Sequence, residues 1–103
     1  MYTIAAFYHF TPMDKLNSLQ ATLRDLCETA QVKGTMLLAE EGINGTIAGL
    51  EEGVNTVLAW LQNDPRLNGM RLKKASAESP PFRQMKVRIK KEIVAMGVDG
   101  VDP

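Results

Sequence analysis

Two spacings of apolar residues divide the chain into predicted strands and helices. Residues 2–10 form an apolar run with aromatic and threonine side chains, which predicts a first strand. Thr11 suits a helix cap and Pro12 suits the first helical position, so a helix is expected over residues 12–31. Its buried stripe, spaced mostly by three and four, consists of Leu16, Leu19, Leu23, Leu26, Cys27 and Ala30.

Residues 34–49 predict a β-hairpin. An apolar run over residues 36–39 precedes two carboxylates and two glycines, and residues 46–48 have strand composition. Asn44 and Gly45 favour a tight turn because both residue types tolerate positive φ. Two interpretations of the loop remain open at this point. It is a structural turn, or it is a ligand loop in which Gly42 and Gly45 let backbone amides approach an anion or a nucleotide.

The second half of the chain repeats this alternation of elements. A second helix is expected over residues 50–62, and residues 69–75 predict a strand. Pro80 and Pro81 interrupt that strand because proline cannot donate to a sheet ladder. A last strand starts after them at Phe82, and residues 92–96 are expected to extend it. The buried stripe predicted for the second helix consists of Leu50, Val54, Val57, Leu58 and Leu61.

The order of elements predicts an α+β fold. Strand, helix, strand, strand, helix, strand is the ferredoxin-like sandwich, an antiparallel sheet with two helices on one face, here with an additional basic strand. One domain is expected over residues 1–96. Residues 97–103 have turn composition and predict the start of a linker.

Charge is balanced overall but segregated along the chain. The 12 basic and 12 acidic side chains cancel, yet residues 66–91 contain nine basic side chains and one acid, a net of +8. One cysteine and one histidine are too few for a metal site or a disulfide, so no metal is expected. No membrane span or secretory signal is present, which predicts a cytoplasmic protein.

The basic last strand is the strongest functional signal from residue pattern alone. Lys86, Arg88 and Lys90 alternate with apolar residues, so they share one sheet face at a repeat of roughly 6.5 Å, comparable to the spacing of phosphates along an extended nucleic acid. Arg71 and Lys73 would widen this patch if their strand is its neighbour. The alternative is a solvated edge whose lysines prevent sheet aggregation.

No catalytic constellation is found. His9 has no positioned partner, and adjacent strand residues such as Glu40 and Glu41 point to opposite faces, so they make a poor carboxylate pair. Cys27 lies on a predicted buried stripe and is interpreted as a structural thiol. Tyr8 and Phe82 are candidates for stacking on bases, but the sequence does not place them on one surface.

Two segments in combination resemble a known family. They are residues 34–49 (GTMLLAEEGINGTIAG) and residues 81–94 (PFRQMKVRIKKEIV) with Met96 and Gly97. Together they closely resemble the N-terminal domain of the rhodanese-related tRNA uridine hydroxylases, bacterial proteins formerly described as uncharacterised rhodanese-like sulfurtransferases. The resemblance extends over essentially the whole chain.

This resemblance implies an acylphosphatase-like domain of an enzyme that places a 5-hydroxyl group on the wobble uridine of tRNA, with molecular oxygen as co-substrate. It also implies a rhodanese domain with a reactive cysteine beyond Pro103. No catalytic residue and no cofactor are then expected in this chain, and Cys27 does not have the role of the rhodanese cysteine. The isolated domain is expected to be inactive.

Three functional hypotheses follow. In the first, the domain is an accessory domain that contacts tRNA, and the cations that hold phosphates are Lys86, Arg88, Lys90, Arg71, Lys73 and Arg83. In the second, the domain packs on the rhodanese domain and shapes its active-site entrance, with a loop at the rim consisting of Glu40, Glu41, Gly42, Asn44 and Gly45.

The third hypothesis, acylphosphatase activity, is not expected. Acylphosphatases bind phosphate with an arginine in a glycine-containing loop after the first strand. Residues 8–13 contain neither residue type, and Asn44 is at best a displaced counterpart of the asparagine that orients water in those enzymes.

Overall fold

The computed structural model describes residues 1–91, and the predicted order of elements is confirmed within them. The predicted extension of the last strand over residues 92–96 and the linker over residues 97–103 lie outside the described residues. The elements are β1 (Tyr2–Phe10), α1 (Leu16–Ala30), β2 (Lys33–Ala39), β3 (Gly42–Gly49), α2 (Glu51–Gln62), β4 (Arg71–Ala77) and β5 (Met85–Ile89).

The five strands form one sheet in the order β4-β1-β3-β2-β5. Strands β4, β1, β3 and β2 are antiparallel to their neighbours, as the ferredoxin-like prediction requires. The additional strand β5 is parallel to β2, so the complete sheet is mixed. Strands β4 and β5 are therefore its two opposite edges.

The hairpin forms where predicted, but its turn does not. Ala39 pairs with Gly42, so the turn consists of Glu40 and Glu41, and the predicted turn at Asn44 and Gly45 is wrong. The physical reason is the period of two along a strand: a turn at Asn44 and Gly45 would place Ile43 and Ile47 on opposite faces of the sheet. The observed register directs both isoleucines to the helices, and both are fully buried.

The first helix begins later than predicted. Lys15 has left-handed backbone angles (φ 52°, ψ 44°), and the helix starts at Leu16. Thr11 does not cap it; its amide instead donates to the Glu41 carbonyl over 2.9 Å, and the Met13 amide donates to the Glu40 carbonyl over 2.8 Å. The segment after β1 is thus held against the hairpin turn by two backbone hydrogen bonds.

Both helices pack on the same face of the sheet and enclose the core. The predicted helical stripes are confirmed except at Leu50, which lies outside the helix and is 58% exposed. Cys27 is fully buried on its stripe, as predicted. The largest fully buried side chains are Phe7, Leu23, Val32, Met36, Leu38, Ile43, Ile47, Val54, Val57, Leu61, Leu67 and Val87.

The connection between β4 and β5 passes from one edge of the sheet to the other. Four strand spacings of about 4.8 Å separate those edges by about 19 Å. The seven residues 78–84 reach about 23 Å when extended, which is enough to span this distance with the bends at residues 78, 79, 81 and 83. Pro80 and Pro81 restrict the backbone in the middle of this connection, which gives the proline pair a structural role.

The close approach of β1 and β3 at Gly42 yields a first prediction. Gly42 has φ +153°, and a Cβ there would lie 2.1 Å from the His9 carbonyl oxygen. Gly42→Ala should therefore lower the free energy of unfolding by more than about 2 kcal/mol in denaturant titrations.

Gly69→Ala is the matched control, because its Cβ would meet only His9 Cε1 at 3.9 Å. That variant should stay within about 0.5 kcal/mol of the parent chain. Equal stability of the two variants would contradict the packing role of Gly42.

Candidate nucleic-acid interface

The sheet face opposite the helices, called here the outer face, carries two rows of side chains that cross all five strands. Paired residues of neighbouring strands share a face, so the register defines each row. The first row is Arg71, Tyr8, Asn44, Leu37 and Arg88. The second row is Lys73, Ala6, Thr46, Thr35 and Lys86.

Each row begins and ends with a cation and is uncharged between them. Arg71 and Lys73 lie on β4, and Lys86 and Arg88 lie on β5, about 19 Å away across four strand spacings. The two strands are not neighbours, so Arg71 and Lys73 do not widen the β5 patch. The outer face instead has two basic edges.

Helix α1 adds a cation to the β5 edge. The Val87 carbonyl accepts hydrogen bonds from Gln20 Nε2 over 2.6 Å and from Arg24 Nη2 over 3.5 Å. A groove beside this contact is lined by Gln20, Arg24 and β5, with Lys90 at its end. Sequence reasoning does not find Arg24, because its place beside β5 depends on the parallel pairing of β5 with β2.

A second cation that sequence reasoning misses is Lys33. It is exposed, and it belongs to the outer face because it alternates along β2 with Thr35 and Leu37. The alternation of Lys33 with Thr35 and Leu37 is present in the sequence. The hairpin is interpreted there from its turn residues, so Lys33 is overlooked. Lys33 therefore adds a positive charge on the strand next to β5.

Two cations of the basic segment have structural partners. Arg66 forms ion pairs with Asp14 over 3.0 Å and with Asp64 over 2.9 Å. The hydrogen bond from Arg66 lowers the pKa of the Asp64 carboxyl below its ordinary value. Lys74 faces the helices and donates to Asn55 Oδ1 over 3.0 Å.

The other cations of residues 66–91 are exposed and form no ion pair with a carboxylate of residues 1–91. They are Arg71, Lys73, Arg83, Lys86, Arg88, Lys90 and Lys91. Arg83 precedes β5 and lines a shallow groove with Thr35, Phe82 and Lys86. Six of these seven cations are the predicted phosphate contacts, and all six are accessible to a polyanion.

The predicted rim loop is divided between a turn and a strand. Glu40 and Glu41 are exposed in the turn, whereas Gly42, Asn44 and Gly45 are buried within β3. Asn44 lies on the outer face and is only 4% exposed. A Cβ at Gly45 would lie 2.8 Å from the Thr35 carbonyl oxygen, so packing between strands requires this glycine.

Aromatic side chains are divided between the two faces. Tyr8 and Phe10 alternate on the outer face of β1, and their ring centroids are 6.2 Å apart at an interplanar angle of 68°. Phe10 is 52% exposed, whereas Phe7 is buried beneath the helices. Phe82 lines the groove before β5 and does not belong to the first row, which contains Tyr8.

The segment after β1 differs from a phosphate-binding loop. The amides of Thr11 and Met13 donate to carbonyls of the hairpin turn, and no arginine or glycine lies in this segment. Residues 1–91 contain no group of three or more His, Cys, Asp and Glu side chains arranged to hold a metal ion. No helix of that range is long and apolar enough to cross a membrane.

Solved structures with the same architecture define the class of fold. BlrP1 of Klebsiella pneumoniae, in a calcium and cy-diGMP complex, has a TM-score of 0.74 at 18% identity, covering 88% of this chain and 24% of that chain. Full-length HypF has a TM-score of 0.65 at 7% identity, covering 86% and 12%. Identities this low show the shared fold alone.

The chain belongs to the family described as UPF0176 acylphosphatase like domain, whose model matches residues 2–93. A protein of Rhizobium leguminosarum bv. trifolii named tRNA uridine(34) hydroxylase is 50% identical over 102 residues. One of Albidiferax ferrireducens with the same name is 52% identical over 102 residues. The matches cover 99% of this chain but only 33% and 32% of those relatives. The resemblance found in the sequence and the predicted acylphosphatase-like α+β fold are thereby confirmed.

Burial of Cys27 yields a prediction about pH. Burial disfavours the thiolate and raises the pKa of Cys27 from 9.0 to about 11. The folded state therefore keeps the thiol protonated where the unfolded chain loses the proton, so this contribution to stability is complete below pH 9 and is lost as pH rises towards 11.

The comparison with Cys27→Ala isolates this effect, because titration of all other groups is common to both proteins. The stability difference between the parent chain and the variant should shift by about 2 kcal/mol between about pH 8 and about pH 10.5 in urea titrations. A difference that does not change with pH would exclude a buried, protonated thiol.

Proposed function

We propose that this chain is the tRNA-contacting N-terminal domain of an oxygen-dependent tRNA wobble-uridine 5-hydroxylase. Support comes from the relatives named tRNA uridine(34) hydroxylase, of which the chain spans about a third. In this proposal the domain supplies binding, and the reaction with molecular oxygen takes place in the remainder of a longer bacterial protein that includes a rhodanese domain. The corresponding compartment is the cytoplasm.

The observation that carries the binding role is the register that brings Arg71, Lys73, Lys86 and Arg88 to one face. These cations are exposed, and no carboxylate of residues 1–91 pairs with them. A phosphate that replaces the counterions around them releases those ions, which favours binding at low salt. The acidic Glu40 and Glu41 lie in the turn at one end of the sheet and not on this face.

The chemistry of the domain agrees with a binding role and not with catalysis. The thiol of Cys27 is fully buried and protonated at neutral pH, so it is not a nucleophile. The loop that would bind phosphate in an acylphosphatase is occupied with backbone hydrogen bonds to the hairpin turn. No cofactor is assigned to this domain.

Charge reversal at the β5 edge tests the binding role. A variant with Lys86→Glu, Arg88→Glu and Lys90→Glu should bind tRNA at least about tenfold more weakly at low salt. The negative slope of log K against log salt should also become less steep by about two to three, because three phosphate contacts are removed. Fluorescence anisotropy of labelled tRNA between about 50 and 200 mM salt measures both quantities.

Two variants with one substitution each provide the control. Arg88→Glu and Lys15→Glu change the net charge equally, but Lys15 lies at the start of α1 and not in the sheet. Only Arg88→Glu should weaken binding. Equal loss for both variants would indicate a general charge effect, and an unchanged salt slope in the triple variant would reject the β5 edge as a tRNA contact.

One observation favours a second function, that of packing on the rhodanese domain. The Lys90 amide donates to the Leu38 carbonyl over 2.8 Å, so the chain leaves the sheet beside the Glu40 and Glu41 turn. Whatever follows residue 91 starts at the end of the sheet that carries this turn. The turn is therefore well placed to contact a following domain.

Hydrogen exchange distinguishes the two functions. If the turn packs on a following domain, the amides of residues 40 and 41 should exchange more slowly in the longer protein than in the 103-residue chain, without RNA. Residues 78–84, at the opposite end of the sheet, provide the internal control and should exchange equally in both. Unchanged exchange at the turn would reject the packing role.

A further inference from the structure

The aromatic pair on β1 has no role in the core. Tyr8 and Phe10 lie on the outer face, away from both helices, with ring centroids 6.2 Å apart. Phe10 is 52% exposed, which leaves much of its apolar surface in water. Gly42 is the residue paired with Phe10 on β3, so no side chain flanks the ring from that position.

This pair lies at one end of β1, beside a cation. At Tyr8 the strand is flanked by β4 and by β3. Phe10 lies beyond the first residue of β4 and is paired only with Gly42 of β3. Arg71 is paired directly with Tyr8, which places their Cβ atoms about 5 Å apart. A phosphate bound at Arg71 would therefore lie next to a flat aromatic ring.

The other residues of the first row allow a flexible polyanion to extend across the outer face. Asn44 and Leu37 separate Tyr8 from Arg88 by three strand spacings, about 14 Å, and neither is charged. One phosphate cannot contact Arg71 and Arg88 together. A ligand that uses both edges has to extend across the face, over the uncharged middle.

Unpaired nucleotides have the matching chemistry. In single-stranded loops the bases are free to stack on aromatic side chains while the phosphates remain accessible to cations, whereas the bases of a duplex are already stacked on each other. We propose that the outer face binds a single-stranded RNA segment, with unpaired bases stacked on Tyr8 and Phe10 and with phosphates held at the Arg71 and Arg88 edges. This binding mode rests on the tRNA-contacting function proposed above and specifies which part of an RNA the domain takes.

The test compares three labelled oligonucleotides of equal length, bound to the 103-residue chain. They are single-stranded RNA, the same sequence as a duplex, and a single strand with abasic sites at its central positions. The single strand should bind about tenfold more tightly than the abasic strand, which keeps the phosphates and lacks the stacking bases. It should also bind more tightly than the duplex. These comparisons need no variant, so they do not depend on the folding of one.

Variants of the aromatic pair locate the stacking site. Phe10→Leu keeps an apolar side chain and removes the aromatic ring, and it should weaken single-strand binding about tenfold without changing the salt slope. Tyr8→Leu should act in the same way, and Phe10→Tyr should retain affinity. Tyr2→Leu is the matched control, because Tyr2 shares the strand and the face but lies six residues from Tyr8, about 20 Å away.

The outcomes separate this inference from the function on which it rests. If the chain binds RNA with a salt dependence that the β5 variants reduce, but the Leu variants and the abasic strand bind normally, stacking is rejected and the tRNA-contacting function stands. Duplex binding as tight as single-strand binding rejects stacking as well. If none of the RNAs binds, both proposals fail.

Discussion

The register of the sheet is the constraint on which both of its faces depend. Pairing of Gly45 with Phe7 and with Met36 places large apolar side chains beneath the helices. The same register directs the neighbouring residues, including Arg71 and Arg88, to the outer face. A slip of one residue would exchange the faces of a strand and bury a guanidinium in the core. Because desolvating an unpaired ion costs several kcal/mol, the core and the basic face are specified together.

Backbone contacts at one end of the sheet fix this register. The turn is only two residues long, Gly42 allows β3 to approach the His9 carbonyl, and the turn carbonyls accept the Thr11 and Met13 amides. These backbone contacts account for the glycine and for the short turn, and no ligand is needed to explain either feature. The interpretation of Gly42 and Gly45 as residues that let an anion approach the backbone therefore gives way to one in which they let strands approach each other.

Local periodicity determines which features the sequence can predict. Both helices, the faces of β4 and β5 and the burial of Cys27 follow from spacings of two, three and four. The turn position does not, because Asn44 and Gly45 have strong turn propensity and the placement of Ile43 and Ile47 on one face overrides it. The periodicity also gives no information about the order of the strands in the sheet. The cations of β4 and β5 therefore suggest one patch in the sequence, whereas β1, β3 and β2 separate them in the sheet and make two basic edges.

The positions of the groups with shifted pKa values separate the parts of the domain that stabilise the fold from the outer face. Cys27 is inside the core, and Asp64 and Arg66 form an ion pair in the connection between α2 and β4, so all three lie away from the outer face. Acid–base or nucleophilic catalysis requires a group whose reactivity is tuned by burial or by a close partner. Phosphate binding requires the opposite, cations that stay hydrated and unpaired until the ligand arrives. The cations of the outer face are exposed and form no ion pair with a carboxylate of residues 1–91, which is the arrangement that the proposed RNA contact requires, whereas the shifted groups of residues 1–91 stabilise the fold.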